Sequence, residues 1–328
     1  MATIPIVDFG QCSVGREHVG TDQLQKVGEE IYNAFTNVGF VYLVNTGIHS
    51  TSVDEVNKVA LDFFTKPEDE KLKFGRNVNN FGYDSIGKEK LDDGSPGDYK
   101  LSFNMACRTY NDPCIKWPDE LVPQFSSTVK SFMKDCKCLA LRILDSLSFG
   151  LKLQDNQQLS ALHESILCAN NHSSLRCLYY PPITQELEKG QIRLLEHTDY
   201  GLMTLLFQDS VGGLQIKSRD GTYIDACPIP DTVLINVADL LQYWTHGDLK
   251  STPHRILVPD DTTKRATPRQ SIAFFVHPSE DLLVSNTLFK QERKLTDETT
   301  LRNFSKKDLE KMTVGEYVQS QFNRTYTR

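Results

Sequence analysis

No apolar run in the 328-residue chain approaches the roughly 20 residues that a membrane-spanning helix needs. A surplus of positive charge is missing as well. Lys and Arg number 36 against 43 Asp and Glu, net −7 with a pI near 5.7. That balance gives no electrostatic case for nucleic acid or an anionic membrane as a partner. The start, MATIPIVDFGQCSVGREH, has no basic stretch leading into an apolar one, so no signal peptide is expected. The eight cysteines (12, 107, 114, 136, 138, 168, 177 and 227) lack the spacing of a disulfide framework. Reduced thiols in the cytoplasm are expected. Repeats and low-complexity linkers are absent too, which favours one continuous domain over 1–328.

With 39% hydrophobic and 24% charged residues, the chain has the composition of an ordinary globular protein. IPIVDF reads as a short strand. Leu24, Val27, Ile31 and Phe35 recur at helical spacing, Gly39 ends that helix, and 40-FVYLVN-45 is a strand of aromatic and β-branched residues. Helices are predicted over Ser52–Phe64, just after Pro67, and over Asp119–Leu151, where Phe125, Val129, Phe132, Cys136, Leu139 and Ile143 form an apolar stripe. Between them, 74–118 is rich in Gly, Asn and Asp. It predicts long loops with brief strands, either a solvated loop or a substrate lid. Tyr83, Lys100, Phe103 and Asn104 are its candidate substrate contacts.

From Leu175 the texture changes. LRCLYYPP, LMTLLFQD, GLQIKSRDGTYIDA, TVLINVADLLQYW, HRILVP and RQSIAFFVHP are short, aromatic or β-branched, and separated by turn residues. Such spacing predicts a barrel or sandwich. The tail from Lys306 returns to helix. The fold class expected is mainly β with flanking helices.

Within 196-EHTDYGLMTLLFQDSVGGLQI-216, His197 and Asp199 stand two apart, so in a strand both project to one side. Histidines number only eight, and His254, opening HRIL, can be brought opposite the pair by a barrel wall. Two imidazoles and one carboxylate form the facial triad of non-haem Fe(II) oxygenases, with positions left for small molecules. Zinc accepts the same donors. A second feature lies in RQSIAFFVHP, where Arg269, Ser271, Ala273 and Phe275 share one face. A guanidinium and a hydroxyl on an inward apolar face are costly without a partner, and together they match a carboxylate. An internal Asp or Glu could satisfy Arg269 instead. Gly212 and Gly213 predict a tight turn. Asp239 and Trp244 are expected to be structural, and His246 and His277 are the other histidines to weigh as metal ligands. Phe207, Phe275 and Arg193 are further pocket candidates, with an external ion pair as the alternative for Arg193.

The order H-x-D, H, R-x-S resembles the Fe(II)- and 2-oxoglutarate-dependent dioxygenases of the isopenicillin N synthase-like family. IPIVDF, GFVYLVNTGI and FFTKPEDEKLKF are similar to that family's N-terminal region, and LYYPP, EHTDYGLMTLLFQDSVGGLQIK, LINVADLLQYWTHGDLKSTPHRI and RQSIAFFVHP to its catalytic half. The resemblance implies a double-stranded β-helix (jelly-roll) at 170–280, an N-terminal helical and loop region at 1–118, and a C-terminal helix at 300–328. It implies His197, Asp199 and His254 as iron ligands, Arg269 and Ser271 on the distal carboxylate of 2-oxoglutarate, and Tyr180 near cosubstrate or substrate. Where some relatives carry Asn two residues before that tyrosine, this chain has Leu178. The implied reaction oxidises a small-molecule substrate, most simply by hydroxylation, with O2 and conversion of 2-oxoglutarate to succinate and CO2. Ascorbate is a candidate stimulant. An iron-dependent oxidase or cyclase without 2-oxoglutarate, and a catalytically silent binding protein, are the alternatives. Substrate and oligomeric state are not legible.

Overall fold

Along the strand Arg269–Val276, side chains divide between two apolar layers. Ile272, Phe274 and Val276 join a large cluster that contains the helices' buried faces, whereas Ala273 and Phe275 join a smaller one inside the β structure. This period-two sorting organises the molecule. The computed structural model describes residues 3–90, 96–184, 186–285, 288, 301 and 304–326. The N-terminal part runs β1 (Ile6–Asp8), α1 (Thr21–Asn37), β2 (Phe40–Val44), α2 (Ser50–Phe64), α3 (Glu68–Leu72), β3 (Gly82–Asp84), β4 (Leu101–Ala106) and α4 (Phe125–Gly150). There follow α5 (Gln158–Ala161), β5 (Ser174–Tyr180), β6 (Leu194–His197), β7 (Met203–Gln208), β8 (Leu214–Lys217), β9 (Tyr223–Asp225) and β10 (Thr232–Val237). The remainder is α6 (Asp239–Trp244), β11 (His254–Ile256), α7 (Thr262–Ala266), β12 (Arg269–Val276), α8 (Lys306–Leu309) and α9 (Val314–Tyr326).

Eight strands form one sheet in the order β1-β2-β10-β7-β12-β5-β4-β3, and four form another in the order β6-β11-β8-β9. All pairings of these strands are antiparallel except β1 with β2. Between the sheets lies the smaller cluster, including Phe40, Tyr42, Leu178, Tyr180, Leu214 and Ile256. This is the expected jelly-roll. Helices α1, α2 and α4 cover the outer face of the large sheet. The α1–α4 crossing is close because Gly28 and Gly150 meet there: a Cβ on Gly28 would lie 1.8 Å from the Ser146 carbonyl oxygen.

Three local expectations need correction. TVLINVADLLQYW is not one strand: β10 ends at Val237 and α6 begins at Asp239. The stretch 74–118 is neither solvated loop nor lid throughout, since β4 is buried along its whole length between β3 and β5. Residues 91–95 of it lie outside the described residues. The C-terminal helix at 300–328 is two helices, α8 and α9; positions 300, 302, 303, 327 and 328 lie outside the described residues.

Candidate active site

β11 pairs with β6 so that His254 stands opposite His197, their ring centroids 4.3 Å apart. Asp199 follows β6 and brings Oδ1 to 3.7 Å from His197 Nε2 and 4.0 Å from His254 Nε2. One ligand atom from each of the three lies within 4.8 Å of the others. The backbone aims these atoms. His197 Nδ1 donates to the Leu195 carbonyl (2.9 Å) and His254 Nδ1 to the Thr252 carbonyl (3.1 Å). A carbonyl can only accept, so both Nδ1 carry the proton, and Nε2 is the nitrogen each ring offers to a metal. Asp199 Oδ2 accepts from Thr204 Oγ1 (2.6 Å) and Asn236 Nδ2 (2.8 Å), which leaves Oδ1 facing the imidazoles.

The electrostatics agree. Burial, with the adjacent His197, pushes His254 down to about 4, so it is neutral and ligand-competent near pH 7. Burial alone would raise Asp199, but His254, His197 and the bonds from Thr204 and Asn236 prevail and hold it below its ordinary value. Gly201, just beyond, is required by space, since a Cβ there would lie 2.6 Å from the Val276 carbonyl oxygen and 2.8 Å from His277 Nδ1.

Arg269 and Tyr180 are paired across β12 and β5, both fully buried, with the guanidinium carbon 4.8 Å from the tyrosine ring centroid. Arg269 donates to the Gly212 carbonyl (2.9 Å), to Gln208 Oε1 (3.2 Å) and to Ser271 Oγ (3.2 Å). Gly212 and Gly213 have φ +77° and +92°, a turn that presents the Gly212 carbonyl. Among the described residues, the hydrogen-bond partners of this cation are all uncharged, and no acid pairs with it directly. A buried guanidinium held only by neutral acceptors fits an anionic ligand.

A cavity of about 400 Å³ runs from the triad to Tyr180 and Ser271, with Ser271, Ala273 and Phe275 along one wall and His197, Asp199 and His254 along another; Arg269 lies directly behind Tyr180 and Ser271. Of the substrate candidates, Lys100 and Phe275 line it. Phe207 does not: on β7 it shares the parity of Met203 and Leu205 and packs 5.0 Å from Phe132 of α4, while Thr204 and Leu206 face the cavity. Phe103 is likewise on the outer side, 4.9 Å from Phe63 and 5.3 Å from Phe125. Tyr83 packs against Phe63 and its hydroxyl donates to Glu68. Asn104 is fully buried behind the cavity wall and accepts from Arg176 Nε at 3.1 Å. Arg193 is fully buried and, among the described residues, makes no ion pair. His246 is half-buried in its turn, and His277 is buried at the far end of the β12 face; neither belongs to the three-residue cluster.

Several contributors escape the sequence patterns. Arg176 lines the cavity in a buried network with Glu89 (3.3 Å), which also binds Lys100 (2.8 Å). Lys100 pairs with Asp98 as well, and Arg76 with Asp84. Arg176 is detectable as a charge in LRCLYY sharing the parity of Tyr180. Gln321 and Phe322, from α9, close another side, and no local pattern signals so distant a contact.

A His-Asp-His cluster inside a jelly-roll, with Asp199 and His254 buried and His197 half-buried, beside an arginine with no acid bonded to it among the described residues, defines a non-haem metal oxygenase. Sequence comparison agrees. A family model described as the 2OG-Fe(II) oxygenase superfamily matches residues 171–278, and one for the N-terminal region of non-haem dioxygenases in morphine synthesis matches 4–125. The chain is 33% identical to the proline hydroxylase buaE of Petromyces alliaceus, with 91% of this chain and 93% of that one covered. It is 30% identical to the 2-oxoglutarate-dependent dioxygenase frbA of Dothideomycetidae sp. (strain 11243), over 99% and 97%. A full-length Neurospora crassa protein solved in complex with alpha-KG superposes with a TM-score of 0.78 at 30% identity, covering 97% of this chain and 95% of that one. The chain belongs to the 2OG-Fe(II) oxygenase superfamily. It is a 2-oxoglutarate-dependent dioxygenase using Fe(II), 2-oxoglutarate and O2.

Proposed function

We propose that His197, Asp199 and His254 hold the iron, and that Arg269, Ser271 and Tyr180 receive the distal carboxylate of 2-oxoglutarate. The observation that carries this reading is the convergence of three donor atoms within 4.8 Å, two of them imidazole nitrogens whose partner nitrogens are tied to carbonyls. Iron bound there supplies the redox chemistry that couples O2 and loss of CO2 from the keto acid to oxidation of a C–H bond. The chain's own groups do the rest. The two imidazole Nε2 atoms and one carboxylate oxygen would hold the metal, Arg269 would compensate the cosubstrate's charge, and the surrounding apolar side chains restrict water.

The substrate is a small polar molecule, hydroxylated in the cavity between the triad and the Glu89–Lys100–Arg176 network. Supporting this are the cavity's size, about 400 Å³, and the charged groups at its wall beside Phe275 and Tyr200. The Neurospora crassa relative has been solved with thymine and with 5-formyluracil, and buaE is named a proline hydroxylase. Pyrimidine bases and cyclic amino acids are therefore the first classes to test. The regions 1–118, 170–280 and 300–328 work as one catalytic unit, supported by β1–β4 completing the sheet that β5, β7, β10 and β12 continue. A cytoplasmic setting is supported by the eight free thiols and by the lack, among the described residues, of a helix long and apolar enough to cross a membrane.

The test is a screen of such metabolites for stimulation of succinate release. A compound that raises succinate formation and gains one oxygen atom supports the assignment. Stimulation only by large or wholly apolar compounds contradicts the small polar class.

A further inference from the structure

Arg193 immediately precedes β6 and is fully buried. Its Nη2 donates to the Thr267 carbonyl at 3.2 Å, while Nε and Nη1 have no hydrogen-bond partner among the described residues. An arginine is not buried in this condition cheaply, because two charged N–H groups have left water without replacement. The Thr267 carbonyl that it binds stands two residues before Arg269, and Arg269 and Asp209 are the charged side chains that act on it, so it lies at the Arg269 end of the interior. Burial and the proximity of Arg269 both disfavour its charge.

The charges in this region do not balance. Arg193 and Arg269 bring two positive charges. Asp209 is the acid whose charge reaches Arg193, and its carboxylate is engaged by the backbone N–H groups of Gln270 and Val211. These two cations and one anion leave a surplus of one positive charge beside the fully buried Arg269, and Lys100 and Asp98, which also act on Tyr180, are paired with each other. One carboxylate would neutralise the surplus. With Arg193 absent, the same carboxylate would leave a surplus of one negative charge instead. Arg269 has three of its N–H groups committed to Gly212, Gln208 and Ser271, whereas Arg193 has two nitrogens uncommitted among the described residues.

We infer that Arg193 is a second cationic anchor for the distal carboxylate of 2-oxoglutarate, acting beside Arg269. This rests on the proposed cosubstrate site. Arg193 thereby sharpens selection for a keto acid carrying a second carboxylate.

The experiment is calorimetric titration of Mn(II)-loaded protein, without turnover, with 2-oxoglutarate and with 2-oxopentanoate, which lacks the distal carboxylate. Arg193→Met should weaken 2-oxoglutarate by about tenfold or more, leave 2-oxopentanoate unchanged, and not lower the melting temperature of the unliganded protein. Arg193→Lys should recover part of the loss. Unchanged 2-oxoglutarate affinity in Arg193→Met, or equal weakening of both acids, overturns the inference. Should Arg193→Met not fold, a crystal structure of the wild-type complex decides. An Arg193 nitrogen within hydrogen-bond distance of the distal carboxylate supports it, and contact from Arg269 and Ser271 alone overturns it. A wild type that binds the two acids equally would instead sink the cosubstrate site as a whole.

Discussion

Thr204 holds one oxygen of Asp199 and thereby frees the other: Thr204 Oγ1 donates to Asp199 Oδ2 at 2.6 Å, and Oδ1 is left toward His197 and His254. Thr204 sits on β7 of the large sheet, whereas His197 and His254 sit on the small sheet. The bond therefore ties the carboxylate to one wall and the imidazoles to the other. Thr204→Val keeps the shape and removes the donor. Metal affinity should fall roughly tenfold or more, since groups that orient ligands typically carry that much. Equilibrium competition with a chelator measures it, and wild-type affinity in the variant would show that Asn236 alone suffices.

Arg269→Ala removes the buried cation beside Tyr180 and Ser271. The KM for 2-oxoglutarate should rise by about tenfold to a hundredfold, the range for losing charge-assisted hydrogen bonds. Substrate KM should change much less. Initial rates over a matrix of both concentrations separate the two; an unaltered 2-oxoglutarate KM contradicts the anchor.

The Glu89 carboxylate lies among Lys100, Arg176 and Arg76, and these cations overcome burial to hold its pKa well below the ordinary range. Glu89→Gln leaves three buried cations with less than their compensation. Breaking such a buried network costs about 3 to 5 kcal/mol. The denaturant midpoint should fall accordingly, and a loss of only a few tenths of a kcal/mol would mean that Asp84 and Asp98 carry the balance.

His163 is fully buried, with Nδ1 at 2.6 Å from the Leu159 carbonyl and no partner for Nε2 among the described residues. Burial pushes it down to about 4, partly opposed by that carbonyl. Its folded pKa lies below its unfolded value near 6.5, so its contribution is intact above pH 6.5 and is lost as pH falls toward 4. In that window the unfolded chain binds one more proton, and stability drops by about 1.4 kcal/mol per pH unit from this residue. His172 and His277, lowered to about 4 and about 3, act in the same direction. Stability of His163→Gln against pH should be shallower by about one proton; an identical slope would show that His163 titrates normally.

Sequence patterns make the His-Asp-His cluster and the Arg269–Ser271 pair legible because His197, His254, Arg269 and Ser271 lie in short strands, with Asp199 only two residues past the end of β6. Loop-rich surroundings are less readable. Phe207 and Leu206 differ only in parity, and without a fixed point for β7 an aromatic is the tempting choice, although Leu206 faces the cavity. The same error of face separates Phe103 from Lys100 on the β4 side. Asn236 and Gln321 offer no local signal, since their partners lie far along the chain. For Arg193 an acidic composition suggests surface pairing, and only packing reveals that the residue is enclosed.

The most direct measurement is the ratio of succinate formed to O2 consumed with Fe(II), 2-oxoglutarate and a stimulating substrate present. A ratio near one-to-one is expected, abolished in His254→Ala together with iron binding. Oxygen uptake without succinate, or full turnover in His254→Ala, would contradict the account.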